Sequence, residues 1–181
     1  GGDHRPTWGC QRMTPQELKN SILQLAIQGK LVKQRPKEGT GEELYRQIQA
    51  EKQQLIKAGK IKREKPLPEI AEDEMPFEIP ESWKWVRLPE IGELNRGKSK
   101  HRPRNAPELY INGTMPMIQT GDVARANKYI TEWSTMYNDM GVSQSRIWNA
   151  GTLCMTIAAN IGDVAILSFD ACFPDSVVGF N

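Results

Sequence analysis

The stretch NRGKSKHRPRN, residues 95–105, places five lysines and arginines and one histidine in eleven positions with no acid among them. Arg96, Arg102 and Arg104 supply planar guanidinium forks that suit phosphate oxygens or a guanine edge, and Lys98 and Lys100 add compact point charges. Gly97, Ser99 and Pro103 let the backbone turn and approach a partner closely. A run of surface charge is in most proteins simply solvated. Here acids are excluded locally yet abundant just upstream, an arrangement that would focus positive potential.

A second polar group follows a short apolar run. In QTGDVARANKY, residues 119–129, Gln119, Thr120, Asp122, Arg125, Asn127 and Lys128 surround Gly121. Such side chains hold phosphates and also read base edges: Gln and Asn pair with adenine, Arg with guanine, and Asp accepts from cytosine. The same composition fits a polar connection between two strands. DMGVSQSRIW, residues 139–148, brings Gln144 and Arg146 near one helix end, where Arg146 serves equally well as the partner of a carboxylate. AANIGD, residues 158–163, reads as a turn between apolar strands.

Other chemistry lacks its parts. No Gly-rich turn follows a strand as an S-adenosylmethionine site requires, no Asn/Asp-Pro-Pro-aromatic loop occurs, and there is no phosphate-cradling G-x-x-x-x-G-K-[ST]. The two histidines stand 97 positions apart and no two cysteines lie within ten residues, which excludes a His/Cys metal cluster by spacing. FPDS, 173–176, offers the Pro-Asp of a magnesium-dependent nuclease without the downstream carboxylate and lysine. NGT, 112–114, fits a glycosylation acceptor but reads as a turn. Cys10, Cys154 and Cys172 are too few and too scattered for a disulfide framework and read as reduced thiols of a cytoplasmic protein.

The positioning elements are legible in outline. Thr14 with Glu17, and Thr40 with Glu43, form capping boxes, and Pro15 suits a first helical position. Leu18, Ile22, Leu25 and Ala26 recur at helical spacing until Gly29. Leu44, Ile48 and Leu55 form a narrow seam until Gly59, of the kind coiled coils use. Pro66, Pro68, Pro76 and Pro80 mark 61–81 as an extended linker. Short apolar or alternating runs at 83–88, 115–120, 128–131, 152–159 and 163–169 predict strands, interrupted by a helix from about Asp139 to Trp148. Hydrophobic residues make up 38% of the 181, with five Trp, enough for a folded body, and no run is long enough for a membrane span. Net charge is +2, but it is segregated: +6 over 13–65, −6 over 66–94, +4 over 95–150 and −3 over 151–181. Blocks of this size suggest separate surfaces with separate partners.

With these residues in view, the chain resembles the specificity subunits of type I restriction–modification systems. LKNSILQLAIQGKLV followed by EELYRQIQAEKQQLIKAGKIK is similar to the helical segment of those subunits. PFEIPESWKWVRLPEIGEL is similar to the entry into a target-recognition domain, and GKSKHRP, MIQTGDVA, GTLCMTIAANIGDVAIL and ACFPDSVVGF are similar to blocks within it. The resemblance implies a non-catalytic subunit that recognises double-stranded DNA. In the family two target-recognition domains, held apart by two antiparallel helices, each read half of a split site from the major groove. It also implies methyltransferase subunits that bind S-adenosylmethionine, and a motor-nuclease subunit that uses ATP and magnesium; this chain itself needs no cofactor.

The expectation is therefore an α+β chain. Residues 1–12 read as a disordered tag or spurious extension, 13–60 as a helical, coiled-coil-type spacer and dimerisation segment, and 61–81 as a Pro-rich linker. Residues 82–181 read as a mostly β target-recognition domain that stops short of the family's usual length. The DNA-contacting set comprises Arg96, Lys98, Ser99, Lys100, Arg102, Arg104, Gln119, Thr120, Arg125, Asn127, Lys128 and Arg146. A second reading makes the N-terminal helices a protein-docking module with no autonomous DNA binding.

Overall fold

The computed structural model describes residues 13–63 and 65–181; the expectations for 1–12, Cys10 among them, lie outside the described residues. The chain is α+β and divides after Val86 into two compact units.

The first unit holds α1 (Pro15–Ile27) and α2 (Gly41–Lys57). Both predicted capping boxes form. Thr14 N–H donates to Glu17 Oε2 (2.7 Å) and Glu17 N–H to Thr14 Oγ1 (3.2 Å), and Thr40 and Glu43 repeat the exchange at 2.9 and 3.2 Å. Each helix thus satisfies orphan donors of its first turn from its own sequence. Gly29 then turns the chain at φ +66°, a left-handed conformation that a side chain resists. Neither helix buries a residue fully, and Leu18, Leu23 and Val32 remain 51%, 50% and 71% exposed.

The segment 83–88, expected as a strand, is not one. Trp83 Nε1–H and the Ser82 hydroxyl both donate to Gln34 Oε1 (2.9 and 3.1 Å), and Gly41 N–H donates to Ser82 C=O (2.7 Å). Lys84 pairs with Glu42 at 2.8 Å and lies over the Tyr45 ring. These side-chain ties hold Ser82–Lys84 against the junction of the two helices, so its backbone joins no ladder. Leu88–Ile91 then forms a single helical turn, α3.

The second unit contains two sheets. The first orders β1 (Leu94–Arg96), β9 (Val177–Phe180), β6 (Leu153–Thr156), β7 (Val164–Leu167) and β3 (Tyr129–Ile130). The second orders β4 (Thr135–Tyr137), β2 (Met115–Met117), β8 (Ala171–Cys172) and β5 (Ile147–Trp148). Period-two alternation decides the inward face: Cys154 and Thr156, Ala165 and Leu167, and Val177 and Gly179 point in, while Leu153, Val164 and Val178 point out. The core centres on Ile118, Val123, Ile130, Trp148, Leu167 and Phe173. Trp148 and Phe173 stack with centroids 4.9 Å apart, and Gly179 is small because of them: a Cβ there would stand 2.7 Å from Trp148 Cζ3 and 2.8 Å from Phe173 Cζ. A smaller cluster gathers Ala106, Leu109, Met117, Tyr137 and Cys172.

The predicted helix from Asp139 shortens to α5, Asp139–Ser143, capped by Asn138 Oδ1 accepting from Gly141 N–H (3.1 Å). Its expected second half becomes β5, because the Trp148 ring must reach Phe173. Cys154 and Cys172 are buried and unbridged, and burial pushes the Cys154 thiol up to about 12.

Phe173→Ala removes half of the central aromatic stack and should cost about 3–5 kcal/mol. Ile161→Ala, at a hairpin residue 78% exposed, should stay within about 0.5 kcal/mol. Urea unfolding of both variants checks this.

Candidate nucleic-acid interface

The basic stretch leaves β1 and is pinned to the segment 173–177 that precedes and enters β9. Gly97 N–H donates to Val177 C=O (2.8 Å) and Lys98 N–H to Phe173 C=O (2.9 Å). A Cβ on Gly97 would fall 2.3 Å from the carbonyl oxygens of both Phe173 and Pro174, so the close approach itself demands glycine. Asp175 completes the anchor. Its carboxylate pairs with Arg104 (2.7 Å), and its carbonyl accepts from Arg96 Nε–H (3.0 Å).

The other flank rests on the two residues that follow α5. Gln144 Oε1 accepts from the N–H groups of both Lys100 (2.5 Å) and His101 (2.9 Å), and the Ser145 hydroxyl donates to Lys98 C=O (2.6 Å). Beneath the loop, Tyr110 donates its hydroxyl to Arg104 C=O (2.7 Å). Burial, and then the neighbouring Tyr137, push Tyr110 up to about 12, so it stays a protonated donor.

The expected site residues therefore have different fates. Lys98 and Lys100 are exposed, and among the described residues their ammonium groups have no partner. Arg102 is exposed and donates from Nη1 to the carbonyls of Ser99 and His101, both at 2.8 Å. Ser99 is 6% exposed, and its hydroxyl lies 3.4 Å from that of Tyr137, inside the loop's own packing. Arg146 pairs with Glu93 at 2.7 Å and stacks on Trp148 at 4.2 Å, which is the carboxylate-partner arrangement. The local exclusion of acids seen along the chain does not hold in space. Asp175, Glu93 and, 3.8 Å from His101, Glu108 all come to the cationic residues from elsewhere.

The second group is a helix rather than a strand connection: α4, Thr120–Arg125. Gln119 and Thr120 are half-buried at its start. Asp122 accepts from Gln119 N–H (2.7 Å), from Arg125 Nη2 (2.5 Å) and from the Ser134 hydroxyl (3.4 Å). A cleft of about 340 Å³ opens beside it, lined by Arg125, Asn127, Tyr129, Glu132, Trp133 and Ser134 among others. Lys128 lies over the Tyr129 ring at 5.0 Å. The basic loop leaves β1, at one edge of the first sheet, and α4 leads into β3, at the other edge, while α4 itself lies against β6 and β7.

Sequence reading missed Asp175 as the anchor of the loop, and Tyr129, Glu132 and Trp133 as walls of the cleft. No local signal marks Asp175, which stands 71 positions from Arg104. The Asp122–Arg125 spacing of three does carry a signal, once the segment is read as a helix.

A fold of this kind, with a braced cationic loop and a polar cleft, accords with the match to the family of type I restriction modification DNA specificity domains over residues 80–181, and the chain belongs to that family. The specificity subunit of the type I restriction enzyme EcoAI of Escherichia coli is 36% identical over 162 residues, covering 88% of this chain and 24% of that protein. The EcoEI specificity subunit of Escherichia coli is 52% identical over 79 residues, 44% of this chain and 13% of the relative. This chain thus spans a quarter or less of the curated relatives it matches. Among solved structures, the HsdS subunit from Thermoanaerobacter tengcongensis aligns at a TM-score of 0.46 with 16% identity, covering 77% of this chain and 32% of the other.

Two outcomes are expected at the loop. Gln144→Ala should speed hydrogen exchange at the Lys100 and His101 amides by at least tenfold, while core amides of β6 and β9 stay protected. Tyr110, with its folded value above the unfolded one, contributes stability that is complete below about pH 10 and lost as pH rises towards about 12. Alkaline titration followed by tyrosinate absorbance should show that part of the loss disappear in Tyr110→Phe.

Proposed function

We propose that this chain recognises double-stranded DNA as part of a type I specificity subunit, without catalysing a reaction itself. The observation that carries the reading is the loop 96–104. Its backbone is fixed at both flanks, by Phe173–Val177 on one side and by Gln144 and Ser145 on the other, while Lys98 and Lys100 project unpaired into solvent. A loop braced in this way presents its charges from a fixed backbone and loses little backbone entropy on meeting phosphates. Arg102, with Nε and Nη2 left over from its backbone contacts, adds a third cation. Arg96 and Arg104, tied to Asp175, chiefly set the loop's shape, and Arg146 is held outside the loop by Glu93 and Trp148.

Base discrimination falls to the second group, Gln119, Thr120, Arg125, Asn127 and Lys128. There each good bidentate contact is worth about 1–3 kcal/mol against a wrong base. The reaction chemistry belongs to other polypeptides: methyltransferase subunits with S-adenosylmethionine, and a motor-nuclease subunit with ATP and magnesium, in the cytoplasm. Among the described residues no helix is long and apolar enough to cross a membrane.

The helices of the first unit support a docking role. Leu18, Ile22, Leu25 and Leu31 leave α1 and its exit with an apolar surface 43–51% exposed, more than a short helix can keep in water alone. A coiled-coil-type pairing, with a partner subunit or a second helical segment, would cover it.

Lys98→Ala/Lys100→Ala should weaken binding to every duplex and lower the slope of log affinity against log salt by about two units, one for each phosphate that is no longer neutralised. Fluorescence anisotropy on random duplexes over a salt series reads this, and an unchanged slope would remove the loop from the interface.

A further inference from the structure

We propose that Arg125 reads a guanine edge, and that Asp122 is the positioning residue that fixes it for the task; this rests on the DNA-recognition reading above. The geometry separates Arg125 from the other paired arginines. The Arg104–Asp175 and Arg146–Glu93 pairs are half-exposed on both sides, at 43% and 41% and at 36% and 47%. In the Arg125–Asp122 pair the arginine side chain is 70% exposed and the aspartate only 2%. The carboxylate is thus walled into the protein and held by Gln119 N–H and the Ser134 hydroxyl, while the guanidinium it grips faces outward.

Three features aim the fork. Asp122 takes one Nη2 hydrogen. Gly121 leaves room for the side chain to fold back along α4, since a Cβ there would stand 3.1 Å from Arg125 Nη1. Spacing of three on the helix brings the two partners onto one face. Nη1, Nε and the second Nη2 hydrogen remain for a ligand. The surrounding cleft supplies Asn127 and the half-exposed Trp133, whose ring is fixed edge-on by Phe169 at 4.7 Å.

Charge decides between base and phosphate. Neutralised by a buried carboxylate, Arg125 adds little to the long-range attraction and counterion release that govern phosphate binding. Its donors keep a fixed plane, and a planar, pre-oriented pair of donors matches the O6 and N7 acceptors of guanine. Lys98 and Lys100 have the opposite character: full charge and free rotation. The structure divides phosphate contact and base reading between the two groups.

The test uses the full chain and a pool of duplexes with a randomised centre, with bound and unbound fractions sequenced. The parent should enrich guanine at one position. Arg125→Ala should abolish that preference, a loss of roughly 5- to 150-fold in discrimination, at that position alone and with the salt slope unchanged. Asp122→Asn should weaken the same preference, and Arg125→Lys should not restore it. Near-ultraviolet circular dichroism verifies that Asp122→Asn folds, and should it not, the exposed Arg125→Ala decides the matter alone. A uniform loss with a flatter salt slope would make Arg125 a phosphate contact and overturn the proposal. So would an enrichment profile unchanged by Arg125→Ala, or a parent that binds duplex without preferring guanine anywhere. A parent that fails to bind the pool at all would instead strike down duplex recognition, and this inference with it.

Discussion

The short segment from Phe173 to Val177 is the constraint on which the second unit depends. Its first residue stacks on Trp148 in the core, its carbonyls take the amides of Gly97 and Lys98, and its aspartate holds Arg104. One stretch of chain thereby joins the hydrophobic interior to the cationic loop 96–104. The coupling is physical rather than formal. A ring that is fully buried cannot shift without opening a void, so the Phe173 carbonyl is fixed in space, and the loop that hydrogen-bonds to it through Lys98 N–H inherits that rigidity. Gly97 is the corresponding requirement on the loop side, because any side chain would meet two carbonyl oxygens.

Electrostatics refine this scaffold rather than build it. The acids that come to the cationic loops in space divide the cations into classes that composition alone does not distinguish. Half-exposed ion pairs of the Arg104–Asp175 kind contribute little net stability, yet they fix where a guanidinium points and remove its charge from the outer field. The lysines that escape pairing keep both charge and mobility. A surface built this way sets a few free cations beside guanidinium groups whose charge is paired and whose direction is fixed.

The two helices of the first unit follow a different logic. Their caps are complete and their ends are set by glycines in left-handed conformations, so local sequence specifies them well. The apolar face of α1 is nonetheless left largely in solvent, and that of α2 is only half-buried. Ser82–Lys84 tie the connection between them, at Gln34, to the start of α2, at Glu42, through polar contacts. In general most helical stability comes from tertiary packing of an apolar stripe rather than from caps.

The amino-acid sequence by itself determined the helices α1 and α2 down to their capping residues, the strands β6 and β7 with the turn between them, and the α+β class. All of these rest on interactions within a few residues: caps, glycine turns and period-two alternation. It also marked the cationic loop and the Gln119–Lys128 group as the residues with chemistry to offer. What tertiary structure alone decided is which of those residues are free. Trp83–Leu88 has the composition of a strand but is held at its start by the bonds of Ser82 and Trp83 to Gln34, 48 and 49 positions away, and the second half of the expected helix at 139–148 becomes a strand because Trp148 must reach Phe173. The partners of Arg104 and Arg146 lie 71 and 53 positions away in the chain. An ion pair across such a separation leaves no periodicity to read, because its residues meet only after the sheets have closed around the aromatic core.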